Sequence, residues 1–195
     1  WVSAAYLRGY FTGVRADPIR AGERSIWFEE VAERLVFEGE PDAGDLYTFC
    51  PAGQVRTAEV VSSRTERGAL VVEHELPGIR IETTIRSVPL GRFELTSVVE
   101  NEAVDHRLRL LVRSDDGADE VRAESQFAVA RRPLSPPPPR ADWVVPPVPT
   151  AHTLGAAALG RLVLLTKGIP EYEASREGLR LTLLRCVGKI SRPAG

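Results

Sequence analysis

Apolar residues recur at every second position along most of the chain from Val55 onward, and that spacing places them on one face of an extended strand. In 79–88 Ile79, Ile81, Thr83 and Ile85 share a face, and in 92–100 Phe93, Leu95, Ser97 and Val99 do the same. Pro89-Leu90-Gly91 between them has the composition of a hairpin turn. In 106–113 Leu108, Leu110 and Val112 are read as alternating with His106 and two arginines, and further strands are predicted over 68–76, 121–130, 160–168 and 178–187. These read as half-buried antiparallel strands, apolar inward and charged outward. Only 24–37 fits a helical period, through Ile26, Trp27, Val31, Leu35 and Val36, and two strands are the alternative there. Many closely spaced strands with little helix predict an all-β chain folded as a large antiparallel β-sandwich.

A chain of 195 residues suits one layered domain with a substantial core. The sandwich is expected over 25–195, with 1–24 unassigned and no internal repeat. Residues 131–152 hold a dense run of prolines, which blocks helix and interior strand, so a rigid surface connection inside the domain is expected. Trp143, Val144 and Val145 are expected to pack it back on the body. A proline-rich ligand for a partner domain is the alternative reading.

Charge changes the picture mainly by exclusion. A formal net charge of -2 lacks the basic excess of a nucleic-acid binder, so no such partner is expected. No apolar run approaches the roughly 20 residues needed to cross a bilayer, and the start has no signal-peptide core, so a soluble protein, cytoplasmic rather than secreted, is expected. The chain contains no methionine and opens on Trp1-Val2, which reads as an interior fragment truncated at its C-terminal end. Cys50 and Cys186 are expected to be reduced, buried thiols.

Motifs for phosphate, dinucleotide, nucleophile-elbow and zinc-protease chemistry are missing. His74, His106 and His152 lack metal-ligand spacing and are expected to be solvated or hydrogen-bonded. Asp115-Asp116-Gly117 reads as a turn rather than a carboxylate pair for glycoside hydrolysis. Glu171 and Glu173 flank Tyr172 and are expected on one solvated strand face. More informative is the loop after Pro41, where Asp45, Tyr47 and Phe49 alternate before Pro51. A strand is expected to begin there with all three on one side. A tyrosine hydroxyl, a carboxylate and an aromatic ring together suit sugar hydroxyls and a sugar face; a tyrosine buried at a sandwich corner is the structural alternative.

Asp42-Ala43-Gly44-Asp45-Leu46-Tyr47-Thr48-Phe49-Cys50-Pro51 resembles the D-x-G-D-x-Y-x-F-x-P stretch in the C-terminal β-domain of family-38 glycoside hydrolases, the α-mannosidases. Three further stretches follow in the family's order: 98–112, resembling N-x-A-x-D-H-R-L-R; then 121–134; then 164–192, resembling the family's E-Y-E and L-T-L-L-R-x-V-G segments. The resemblance spans about 25–192. It implies a supersandwich-like domain attached to an α/β barrel and a three-helix bundle. In that family the barrel holds zinc and the catalytic aspartates of a retaining mechanism, so no catalytic residue, metal ligand or cofactor is expected in this chain. The resemblance assigns Tyr47 a hydrogen bond to bound mannose, and Asp45 either a sugar contact or a loop-holding role. Arg131 and Arg132 follow a strand that could approach the site. The implied partners are the barrel in cis and, through the whole enzyme, an α-mannoside; exposed sheet edges could also pair between copies. By this reading the chain is an inactive β-sandwich part of an α-mannosidase. The alternative is a stand-alone carbohydrate-binding module.

Overall fold

The computed structural model describes residues 3–12, 24–89, 91–135 and 150–188. They form one helix and two antiparallel sheets, the all-β sandwich that the alternation predicts. The first sheet runs in the order β10 (Ala128–Pro133), β9 (Glu120–Ser125), β12 (Ala156–Leu159), β13 (Leu162–Thr166), β1 (Ser3–Thr12), β7 (Arg92–Asn101), β6 (Ile79–Val88), β5 (Ala69–Leu76), β4 (Glu59–Glu66). The second runs β11 (Thr150–His152), β14 (Glu171–Ser175), β15 (Gly178–Cys186), β8 (His106–Arg113), β2 (Leu35–Pro41), β3 (Arg56–Thr57). Ser3–Thr12, in the segment without a sequence assignment, pairs with both β13 and β7. The proline-rich stretch begins in β10 and ends in β11, so its two flanks lie in different sheets; Trp143, Val144 and Val145 fall outside the described residues.

The two apolar faces meet in one core. Ile81, Ile85 and Val99 of the first sheet and Phe37, Leu108 and Leu179 of the second are wholly buried in it. Thr83 and Ser97 look out of place on these faces until the register is read. They are direct cross-strand partners, and their hydroxyls lie 2.9 Å apart, so each satisfies the other away from water.

The helix prediction and one strand prediction need correction. Residues 24–37 are neither one helix nor two strands: α1 (Arg24–Glu33) stops, and Leu35 and Val36 open β2. The helix sets Phe28 edge-on against Phe93, ring centroids 6.0 Å apart, at the end of the core. Residues 121–130 are two strands, because the chain reverses at Gln126-Phe127. Phe127 adopts φ 63°, a left-handed conformation that a bulky residue seldom takes and that no glycine or asparagine signals here.

His74 and His106 also differ from expectation, since both are buried. Residue parity explains it: His106 falls in step with Leu108, and His74 with Val72 and Leu76, on the core side of their strands. His74 rests against the Phe37 ring at 4.9 Å. Burial pushes the pKa of both imidazoles down; for His106 the Val104 backbone and the Asp105 carboxylate oppose this by less. The unfolded chain, with histidines near their ordinary value of 6.5, therefore binds protons that the folded chain excludes. Stability should be full above that pH and fall as pH drops from there toward the folded-state values, by at most about 1.4 kcal/mol per pH unit for each histidine. Urea unfolding across pH 5 to 8 checks this; a flat profile over that window contradicts it.

Candidate functional site

The outer face of the second sheet is where long side chains take over from apolar ones. Glu38 and Glu40 of β2 stand beside Arg109 and Arg107 of β8, their register partners. Arg180 and Thr182 of β15 and Glu171 and Glu173 of β14 continue the same face. Arg107 bonds Glu40 at 2.7 Å; Arg109 bonds Glu40 and Glu173, each at 2.7 Å, and approaches Glu38 at 3.5 Å. Arg180 bonds Glu38 at 2.9 Å, and Thr182 donates to Glu171. The outward direction of these groups follows the alternation, but their expected solvation does not hold. Carboxylates of neighbouring strands lie over the guanidiniums at the same height, leaving the side chains of Arg107 and Arg109 only 7% exposed. Glu171 and Glu173 do share one face, paired rather than solvated.

This lattice of ion pairs ends at the loop that follows β2. Here the expected strand through Asp45, Tyr47 and Phe49 is a tight turn instead, and the three side chains diverge. Asp42 is buried, and its Oδ1 accepts from the amides of Gly44 (2.8 Å) and Cys50 (2.9 Å). Burial alone would raise its pKa, but the Arg185 guanidinium and those two amides together hold it below the usual carboxylate value. Asp45 turns inward, its Oδ1 accepting from the amides of Tyr47 (3.0 Å) and Thr48 (2.8 Å). Two backbone bonds, Asp45 N to Thr48 O and Ala43 N to Cys50 O, close the turn. Phe49 folds back on the sheet, and Arg107 stacks on its ring at 3.6 Å from the centroid. Tyr47, at the tip beside Leu46, is 80% exposed.

Of the two predicted contact residues, then, Tyr47 presents itself to the outside and Asp45 holds the loop. Arg131 and Arg132 lie on β10, at the far edge of the other sheet. The important side chain that the sequence reading missed is Arg185, whose guanidinium bonds Asp42 and three loop carbonyls. One signal for it exists in the sequence, the paired Leu183-Leu184 that interrupts the alternation just before it. Both cysteines are free thiols and half-buried rather than buried. Burial pushes the Cys186 thiol up, opposed only by the Asn101 side chain, which favours the protonated form. Asp115-Asp116-Gly117 is a connection as expected, with Asp116 accepting from the Arg161 amide and side chain, each at 2.7 Å. Among the described residues no three histidine, cysteine or carboxylate groups gather as a metal site. Likewise no described helix is long and apolar enough to cross a membrane.

Antiparallel connections alternate between the two ends of the sandwich, and the ends differ. The Asp42–Pro51 loop, the β7–β8 loop, the β9–β10 turn and the β11–β12 loop all fall at one end. The loops at that end carry Leu46, Tyr47, Val104, Phe127 and Leu154, five of the nine large apolar side chains exposed among the described residues, while Val60, Val61 and Val129 lie along edge strands. Described turns at the other end are polar and charged: Arg67-Gly68, Asp115-Asp116-Gly117, Gly160-Arg161 and Arg176-Glu177.

No protein-family model matches the chain. A curated protein of Halalkalibacterium halodurans named "Putative mannosylglycerate hydrolase" is 28% identical over 177 residues, which are 89% of this chain and 16% of that protein. An alpha-mannosidase from Enterococcus faecalis V583 superposes with a TM-score of 0.51 at 21% identity, covering 81% of this chain and 23% of that one. A protein in the glycosyl hydrolase family 38 from Enterococcus faecalis gives 0.53 at 20% identity, covering 82% and 23%. At such identities the two structures show a shared fold. The chain thus spans between about a sixth and a quarter of the length of these proteins.

Proposed function

We propose that this chain, a β-domain distantly homologous to parts of family-38 glycoside hydrolases over most of its length, serves as the C-terminal sandwich of an α-mannosidase. In this reading it supports a catalytic barrel elsewhere in the polypeptide, and Tyr47 supplies one contact to the bound mannose. The observation that carries the proposal is the placement of Tyr47. It stands 80% exposed on a turn fastened from below, at the end of the sandwich that gathers exposed apolar groups. A ring so open touches little of its own domain, and a sugar held there needs a second wall. A barrel docked on that end would provide one.

Zinc belongs to the reading only through the rest of the enzyme. The described residues offer no donor set for it. The pure chain should give no turnover of an aryl α-mannoside, with or without added zinc. Zinc-dependent turnover by this chain would sink the proposal.

The exposed aromatic favours a second reading, a carbohydrate-binding module. Calorimetric titration with mannose separates the two. Millimolar or tighter binding by the chain alone, lost in Tyr47→Phe, supports the module. Absence of binding supports a contact completed only by another domain. Tyr47→Phe removes one exposed hydroxyl, so the unfolding midpoint should stay where it is, within about 0.5 kcal/mol.

A further inference from the structure

We propose that Arg185 is a positioning residue for Tyr47, brought to the loop by a bulge in β15. Along β15 the outer face holds Arg180 and Thr182 while Leu179 and Leu181 point to the core. Strict alternation would turn Leu184 outward and Arg185 into the core. Instead the register with β8 slips between Thr182 and Leu184, and beyond the slip Leu184 pairs with Leu108 and Arg185 with Arg107. One inserted residue therefore moves the arginine to the outer face, as bulges do where a side chain must be re-aimed.

What the guanidinium reaches makes the case. Nε donates to Asp42 Oδ2 at 2.6 Å, Nη2 to the carbonyls of Asp45 and Thr48, each at 2.7 Å, and Nη1 to that of Leu46 at 3.3 Å. Those carbonyls belong to the residues on either side of Tyr47 and the one before them. The planar fork thus gathers the turn from beneath and leaves Tyr47 as its raised point. A lysine, a single charged head on a flexible stem, could pair with Asp42 but could not span three carbonyls in one plane. Arg107 braces the same turn from the side through Phe49 and is itself fixed by Glu40. Asp42 lies 143 residues from Arg185 in sequence, so the arrangement exists only once β15 has docked on β8.

The inference concerns the same site as the proposed function and rests on that reading for its purpose, though not for its geometry. The test uses the whole chain labelled with 3-fluorotyrosine. The Tyr47 signal is assigned by its loss in Tyr47→Phe, and the buried Tyr172 reports on the intact fold. In Arg185→Lys the Tyr47 fluorine line should narrow and its transverse relaxation slow, as the tip of the turn gains motion, while the Tyr172 line stays as it is. Amide exchange at Thr48 and Cys50 should accelerate at least about tenfold, the loss expected when charge-assisted bonds holding the turn are removed. Arg185→Gln should do the same. Unchanged Tyr47 line width and loop exchange in both variants would overturn the proposal. So would loss of the Tyr172 signal in both, which would make Arg185 a general element of the fold. If Tyr47→Phe in the assembled enzyme leaves mannose affinity intact while Arg185→Lys frees the loop, the functional reading fails and the positioning stands.

Discussion

Arg109→Leu is expected to destabilise the protein by about 3 kcal/mol, the low end of the cost of breaking a buried ion pair, because half-buried Glu173 loses its cation and buried Glu38 and Glu40 are left with one each. Arg109 serves three of them, Glu173, Glu40 and Glu38. Glu40 would keep Arg107 and Glu38 would keep Arg180, while Glu173 would lose the guanidinium 2.7 Å away. Four carboxylates on this face would then share two guanidiniums. The leucine would restore apolar contact but not charge balance. Chemical denaturation should show a lower midpoint with an unchanged denaturant slope. Arg64→Leu is the comparison. Arg64 also bonds two glutamates, Glu73 at 2.5 Å and Glu82 at 2.7 Å, but on an exposed strand where water solvates whatever is left unpaired. It should leave the midpoint unchanged, so equal losses in the two variants would mean that the lattice is no more than a surface ion-pair array.

Gly44→Ala should dismantle the Tyr47 turn while sparing the sandwich. A Cβ at this position would lie 1.8 Å from the Thr48 carbonyl oxygen, 2.8 Å from Asp42 Oδ1 and 2.9 Å from Arg185 Nη2. The first of these is backbone inside the turn and cannot step aside as a flexible side chain would. Relief requires opening the turn, which surrenders the Asp45–Thr48 backbone bond and the amide bonds to Asp42 and Asp45, at about 0.5–1.5 kcal/mol each. Exchange of the loop amides should approach the unprotected rate, with proteolytic nicking near Leu46, while the Tyr172 environment is kept. Under the proposed function, the same variant in the assembled enzyme should lose mannose affinity at least as severely as Tyr47→Phe. Gly68→Ala offers the contrast on the steric side: its Cβ would meet nothing within 4 Å, leaving only the strain of a positive φ of 75°.

The alternation of apolar residues was enough to determine the all-β class and the strands β5, β6, β7, β8, β13 and β15, because one buried face imposes a period of two whatever the neighbouring strand is; β1, β4 and β12 and the break between β9 and β10 were not legible in it. It also determined which side of each strand Arg107, Arg109, Glu171 and Glu173 occupy. Their burial was decided elsewhere, by β2, β8, β15 and β14 coming side by side in register so that opposite charges cover one another. The loop shows the same division. Its order of glycine, acid and aromatic marked 42–51 as special and singled out Tyr47, yet alternation suggested a strand there. A buried Asp42 and an arginine from the far end of the chain make it a turn. Local sequence carries the period of a strand and the steric demands of a turn; which side chain reaches across 143 residues depends on sheet order and one bulge, and only the folded sandwich supplies those.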